Sequence, residues 1–169
     1  MKKQVLSLVA AAALAASMTV PAWAAVASPY GGAEAEGGDV TYTTQAQTGE
    51  DSQATQVYET IQGAESTGQE LGLLGDGLAE TVQAELGATS VNEYSAREIG
   101  NVAVSSEGPA TITLSNLAGV SAGTEGFVMY LGTDGLWHYL SVSFGNRTAT
   151  FTVPYSTTVI LYVRVAAAV

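Results

Sequence analysis

The chain has no cysteine and a single histidine, His138. Protein zinc sites are built mainly from thiolates and imidazoles, so neither a Cys-rich nor a His-rich metal centre is expected, and no cofactor is. Disulfides are excluded as well, so a packed core must supply the stability even in an oxidising compartment. Basic residues are scarce: five Lys and Arg stand against sixteen Asp and Glu, a formal net charge of −11. A surface of that sign repels phosphates, so no nucleic-acid partner is expected. Long apolar runs are also lacking, except for one at the N-terminus.

That run has the make-up of a secretory signal peptide. Lys2 and Lys3 precede an uncharged stretch from Val5 to Val20, Pro21 ends it, and Ala22-Trp23-Ala24 places small residues where a signal peptidase reads them. Residues 1–24 are therefore read as a signal peptide cleaved after Ala24, with cleavage after Ala27 as the alternative. The stretch is short and alanine-rich for a transmembrane anchor, which needs about 20 strongly apolar residues. The expectation is a secreted, extracellular protein with no membrane association after cleavage. Processing removes both lysines and leaves Arg97, Arg147 and Arg164 against sixteen acids, a formal charge of −13.

Residues 25–50 read as a flexible acidic linker, above all SPYGGAEAEGGD at 28–39, although VTYTTQAQT at 40–48 has the composition of a short strand. Residues 51–97 read as a helical segment. Val57, Ile61 and Ala64 recur at helical spacing, and so do Leu71, Leu74, Leu78, Val82 and Leu86. Gly72, Gly75 and Gly77 interrupt the second series, which predicts one helix over 52–66 and another over 76–86, stopped by Gly87. Residues 98–169 alternate at the β period. Ile112 and Leu114 oppose Thr111 and Thr113, and Ala149, Phe151 and Val153 oppose Thr148, Thr150 and Thr152. In the last strand, Val159, Leu161, Val163 and Val165 are expected to point inward and Ile160, Tyr162 and Arg164 outward. With Asp134-Gly135 and Gly145-Asn146 as hairpin signals, the pattern predicts a mainly β fold. The form expected is an antiparallel β-sandwich of about six strands. So few residues make a marginal core, so the preceding helical segment is expected to pack on it.

Three runs, GPATITLSNLAGVSAG (108–123), FVMYLGTDGLWHYL (127–140) and NRTATFTVPYSTTVILYV (146–163), resemble a C-terminal β-sandwich (Ig-like) module of secreted or surface proteins of Gram-positive bacteria. The resemblance extends over about Gly87–Val165. It implies a non-catalytic module and brings no active-site residues with it.

The chemistry is sparse. Strict alternation turns His138 inward with Leu140, Val142 and Phe144, whereas a bulge near Tyr139 would bury Trp137 instead. The resembled pattern, with a polar residue after its Trp, favours the bulge. A catalytic imidazole needs a carboxylate held against it, and the nearest acid, Asp134, is assigned to a turn. Glu98, Glu107, Glu125 and Asp134 all fall near strand starts or turns and read as solvated acids rather than a glycosidase pair. No calcium-loop pattern is present, and GLLGDG at 72–77 lacks the lysine of a phosphate-binding loop. No catalytic residue is assigned. The remaining candidates are the aromatics Tyr130, Trp137, Tyr139 and Tyr162, which could present rings to a ligand from a sheet face. The function implied is a secreted, non-catalytic module contacting a protein or a cell surface. A carbohydrate-binding module using those aromatics is the alternative.

Exported from a bacterial host, the protein should have Ala25 as its first residue. Intact-mass measurement checks this, and a secreted form that keeps Met1 would contradict it.

Overall fold

A computed structural model describes residues 33–34, 40–105 and 107–165. Residues 1–24, read as a signal peptide cleaved after Ala24, lie outside the described residues, as does all of 28–39 apart from the backbone of Ala33–Glu34. None of the helices among the described residues is long and apolar enough to cross a membrane.

The fold is mainly antiparallel β. One sheet has five strands in the order β2-β3-β9-β5-β6: β2 (Val40–Thr44), β3 (Tyr94–Val104), β9 (Thr157–Arg164), β5 (Gly126–Leu131) and β6 (Trp137–Ser141). The other has four, in the order β1-β4-β8-β7: β1 (Ala33–Glu34), β4 (Ala110–Leu114), β8 (Thr148–Val153) and β7 (Ser143–Gly145). The stretch from Trp137 to Gly145, which alternation alone makes one strand, crosses from the first sheet to the second at Val142. The five-stranded sheet takes in Val40–Thr44, from the segment read as linker, and Tyr94–Arg97, from the segment read as helical.

Alternation sets the faces. In β4 and β8 the buried residues Ile112, Leu114, Ala149, Phe151 and Val153 share one core with Val102, Val128, Val159, Leu161 and Val163 of the five-stranded sheet. The opposite face of β4 and β8 is wet, and paired hydroxyls cross it, Thr111 with Thr152 and Thr113 with Thr150, both at 2.9 Å. Such cross-strand pairs are worth a few tenths of a kcal/mol each, up to about 1.

The second face of the five-stranded sheet is covered by helices. Here α1 (Gln53–Ile61), α2 (Thr67–Leu74) and α3 (Leu78–Leu86) bring Ala54, Val57, Ile61, Leu71 and Val82 onto Tyr94, Ala96, Ile99, Phe127, Met129, Ile160 and Tyr162. Two expectations are corrected. The helical region holds three helices, not two. Gly72 lies inside α2, which Ser66 caps by accepting the Gln69 amide, and the fully buried Leu71 anchors it, offsetting the roughly 1 kcal/mol that a helical Gly costs. The break comes at Gly75–Gly77 instead. Gly87, at φ 67, ends α3 in the left-handed half of backbone space that glycine adopts without a Cβ clash.

The second correction concerns β9. Thr158 through Val163 are all buried, so Ile160 and Tyr162 do not face water. A strand bracketed by neighbours in its sheet and covered on both faces reads as a continuous apolar run, as TVILYV does. Only Arg164 leaves the core. It bonds Glu93, at 2.6 Å, and Glu125, which ties the ends of β3, β5 and β9 together.

Phe127 is fully buried between the Tyr162 and Tyr139 rings, at centroid distances of 4.7 and 5.7 Å. Phe127→Ala should cost about 3–5 kcal/mol in urea denaturation. Leu136→Ala, at a side chain 62 % exposed, should stay within about 0.5 kcal/mol of the parent.

Candidate functional site

The β5–β6 hairpin turns through Thr133-Asp134-Gly135. The Gly135 amide bonds the Gly132 carbonyl at 3.0 Å, Gly135 takes φ 79, and the Gly132 amide closes on the Leu136 carbonyl at 2.7 Å. This is a turn followed by a left-handed residue, the usual form of a three-residue hairpin loop. Register runs without interruption from Phe127↔Ser141 to Leu131↔Trp137. The bulge expected near Tyr139 is therefore absent, and strict alternation decides the faces. His138 sits opposite Tyr130, their rings stacked at 5.2 Å.

Asp134 does two things at once. Its Oδ1 accepts the Leu136 amide at 3.0 Å, and its two oxygens lie 3.1 and 3.0 Å from His138 Nε2. The bond from the Leu136 amide, and next that from His138, holds the Asp134 carboxyl below its usual range. The expectation that no carboxylate stands against the imidazole is corrected here, because a turn aspartate four residues earlier reaches the ring across the loop. The pair is exposed, and His138 Nε2 is shared between the two Asp134 oxygens. No nucleophilic hydroxyl among the described residues bonds the ring.

Trp137 and Tyr139 point the other way, toward the helices, and both are partly buried there. With Leu78, Thr81, Val82 and Glu85 of α3 they line a groove of about 450 Å³, to which Met129, Tyr130 and His138 also contribute. Burial, and then the charge of Glu85, pushes the Tyr139 hydroxyl above its ordinary value. Three of the four aromatic candidates, Tyr130, Trp137 and Tyr139, thus meet at one groove. The fourth, Tyr162, does not: it is fully buried beneath the helices, stacked on Phe127. The helical layer that alternation could not foresee takes the face it was expected to show.

The aromatics left two buried acids unnoticed. Glu70 of α2 is completely buried, and neither its carboxyl oxygens nor the nearby Tyr162 hydroxyl has a hydrogen bond of normal geometry. Burial raises its pKa to about 7, and the Tyr162 hydroxyl offsets this only in part. Glu98, on the opposite face of the sheet, accepts a bond from the Tyr42 hydroxyl of β2 at 3.0 Å. Burial raises its pKa to about 7 too. Glu98 was expected to be solvated, and the strand that covers it was read as linker. The signal for Glu70 is in the sequence: Thr67, Glu70, Leu71 and Leu74 fall at i, i+3, i+4 and i+7, which puts a carboxyl on the apolar stripe.

No group of three or more metal-ligating side chains occurs among the described residues. No protein-family model matches the chain, and neither a curated protein nor a solved structure does.

Both buried carboxyls bind protons more tightly in the folded state than in the unfolded chain. Their stabilising effect is complete below about pH 4.5, is lost as pH rises through about 7, and is constant above that. A shift of this size corresponds to roughly 3 kcal/mol per group. Urea unfolding should show stability falling from pH 5 to pH 7, and the double variant Glu70→Gln, Glu98→Gln should flatten that fall. Glu93, held below its usual range by its bond to Arg164, acts in the opposite sense, and only at lower pH.

Proposed function

We propose that this chain is a secreted, non-catalytic binding module of bacterial origin, an Ig-like β-sandwich that contacts a protein or a cell surface. The observation that carries the reading is the groove between α3 and β6. Trp137 and Tyr139 sit in it, half exposed, beside Glu85 and Thr81. Half-exposed rings next to a few polar groups suit recognition, since stacking supplies affinity and the polar groups fix orientation. The exposed His138–Asp134 pair reads as part of the hairpin rather than as an acid–base device. Its aspartate is already engaged by the Leu136 amide, and no nucleophilic hydroxyl among the described residues bonds the ring.

A second reading, a carbohydrate-binding module, rests on the same groove. Sugar rings offer apolar faces to aromatics and hydroxyls to carboxylates, and Tyr130, Trp137, Tyr139 and Glu85 provide both kinds of partner. The fully buried Tyr162 has no place in either reading.

A glycan array and a pull-down from culture supernatant and cell surface, each run with wild type and Trp137→Ala, test the two readings together. Saturable glycan binding weakened about tenfold or more in the variant, consistent with roughly 1.5 kcal/mol of stacking, supports the carbohydrate reading. Capture of a defined protein that depends on Trp137, without glycan binding, supports the first. No Trp137-dependent binding in either format overturns the groove as the site.

A further inference from the structure

We infer that Glu70 is a pH-sensitive latch that holds α2 and α3 on the sheet and so sets the width of the groove. The inference rests on the reading of that groove as the binding site. Its basis is geometric. Glu70 is the only charged residue type among the large, fully buried side chains of the described residues, and neither of its oxygens has a hydrogen bond of normal geometry, the Tyr162 hydroxyl being the one polar group beside it. It lies with Tyr162, and the Tyr162 ring stacks on Phe127, which stacks in turn on Tyr139 at the groove. The helix that carries Glu70 leads through Gly75–Gly77 directly into α3. That helix supplies Leu78, Thr81, Val82 and Glu85 to the groove wall.

The protonated carboxyl fits this setting, because a neutral acid beside a phenol can be buried at modest cost. The ionised form is an unpaired charge in an apolar core, and the molecule relieves that cost by letting water reach it. Tyr162 of β9 is the one titratable side chain that acts on Glu70. Among the described residues no charge on the elements around it acts on its ionisation: not Glu59 of α1, not Glu80 or Glu85 of α3, not Glu93, not Arg97 or Glu98 of β3, and not Arg164 of β9. Tyr162 itself stays protonated, pushed well above its ordinary range by burial and then by Glu70. Movement of α2 off the sheet is therefore the available relief. The two glycines between α2 and α3 allow the groove wall to move with it. The groove is tight in acid and loose at neutral pH.

Hydrogen exchange of the full chain between pH 5 and pH 8, corrected for intrinsic exchange rates, tests the latch without any ligand. Protection of residues 67–86 through local opening should fall by about tenfold per pH unit from pH 5 to pH 7 and then level off. In Glu70→Gln the fall should vanish. Glu70→Leu, which removes the titrating group altogether, should behave in the same way and serves if the amide variant folds poorly. Glu98→Gln, on the other face of the sheet, should keep the wild-type slope. Wild-type protection that does not change with pH, or a Glu70→Gln slope equal to that of wild type, overturns the latch. A blank glycan array and pull-down would sink the binding reading and leave the exchange result standing, while flat exchange beside Trp137-dependent binding would sink the latch alone.

Discussion

Strand β9 lies between β3 and β5 with an apolar layer against each face, and the rest of the molecule depends on that arrangement. Val159, Leu161 and Val163 meet β4 and β8, while Ile160 and Tyr162 meet the helices. Burying a side chain of this size is worth about 1.5–3 kcal/mol, so leaving either face open would forfeit several such terms. The four-stranded sheet is too small to cover both faces. The helices are short, eight or nine residues each, and helices of that length are marginal alone in water. Sheet and helices are each incomplete without the other, and in a chain without cysteine no cross-link can stand in for the contact.

Covering both faces has an electrostatic consequence. Glu70 faces the helix-side core and Glu98 the other side, and each meets a tyrosine, Tyr162 and Tyr42, in place of a cation. A buried carboxyl without a cation keeps its proton to higher pH. The chain has three arginines, and Arg164 is held by Glu93 and Glu125 at the sheet's end. The scarcity of cations leaves the buried acids to be neutralised by protons.

The β-rich character of the chain was legible because alternation is a local signal. Ile112, Leu114, Ala149, Phe151 and Val153 lie where their parity puts them. Parity says which residues share a face, but not whether that face is wet. Tyr162 was misplaced for that reason: it does share a side with Ile160, and what covers that side comes from helices more than seventy residues earlier in the chain. Arg97 shows a second limit. The register of β3 against β9 shifts between Ala96 and Glu98, so faces on the two sides of the irregularity do not follow one parity, and Arg97 reaches back to the Ala118 carbonyl. The Asp134–His138 contact was missed because a turn residue was given one role, when its two oxygens allow two. Trp137, Tyr139 and Tyr130 were legible as candidates; Glu85, which joins them from α3, was not, since nothing in a helix pattern says which strand it will meet.

The central claim is that helices and sheet share one core around Phe127 and Tyr162. Proton NMR tests it most directly, through nuclear Overhauser effects between the rings of Phe127 and Tyr162 and the methyl groups of Ile61, Leu71 and Val82 at pH 5. The account predicts cross-peaks from these rings to methyls on all three helices. Rings that contact only other strands, with the helix methyls at random-coil shifts, would contradict it.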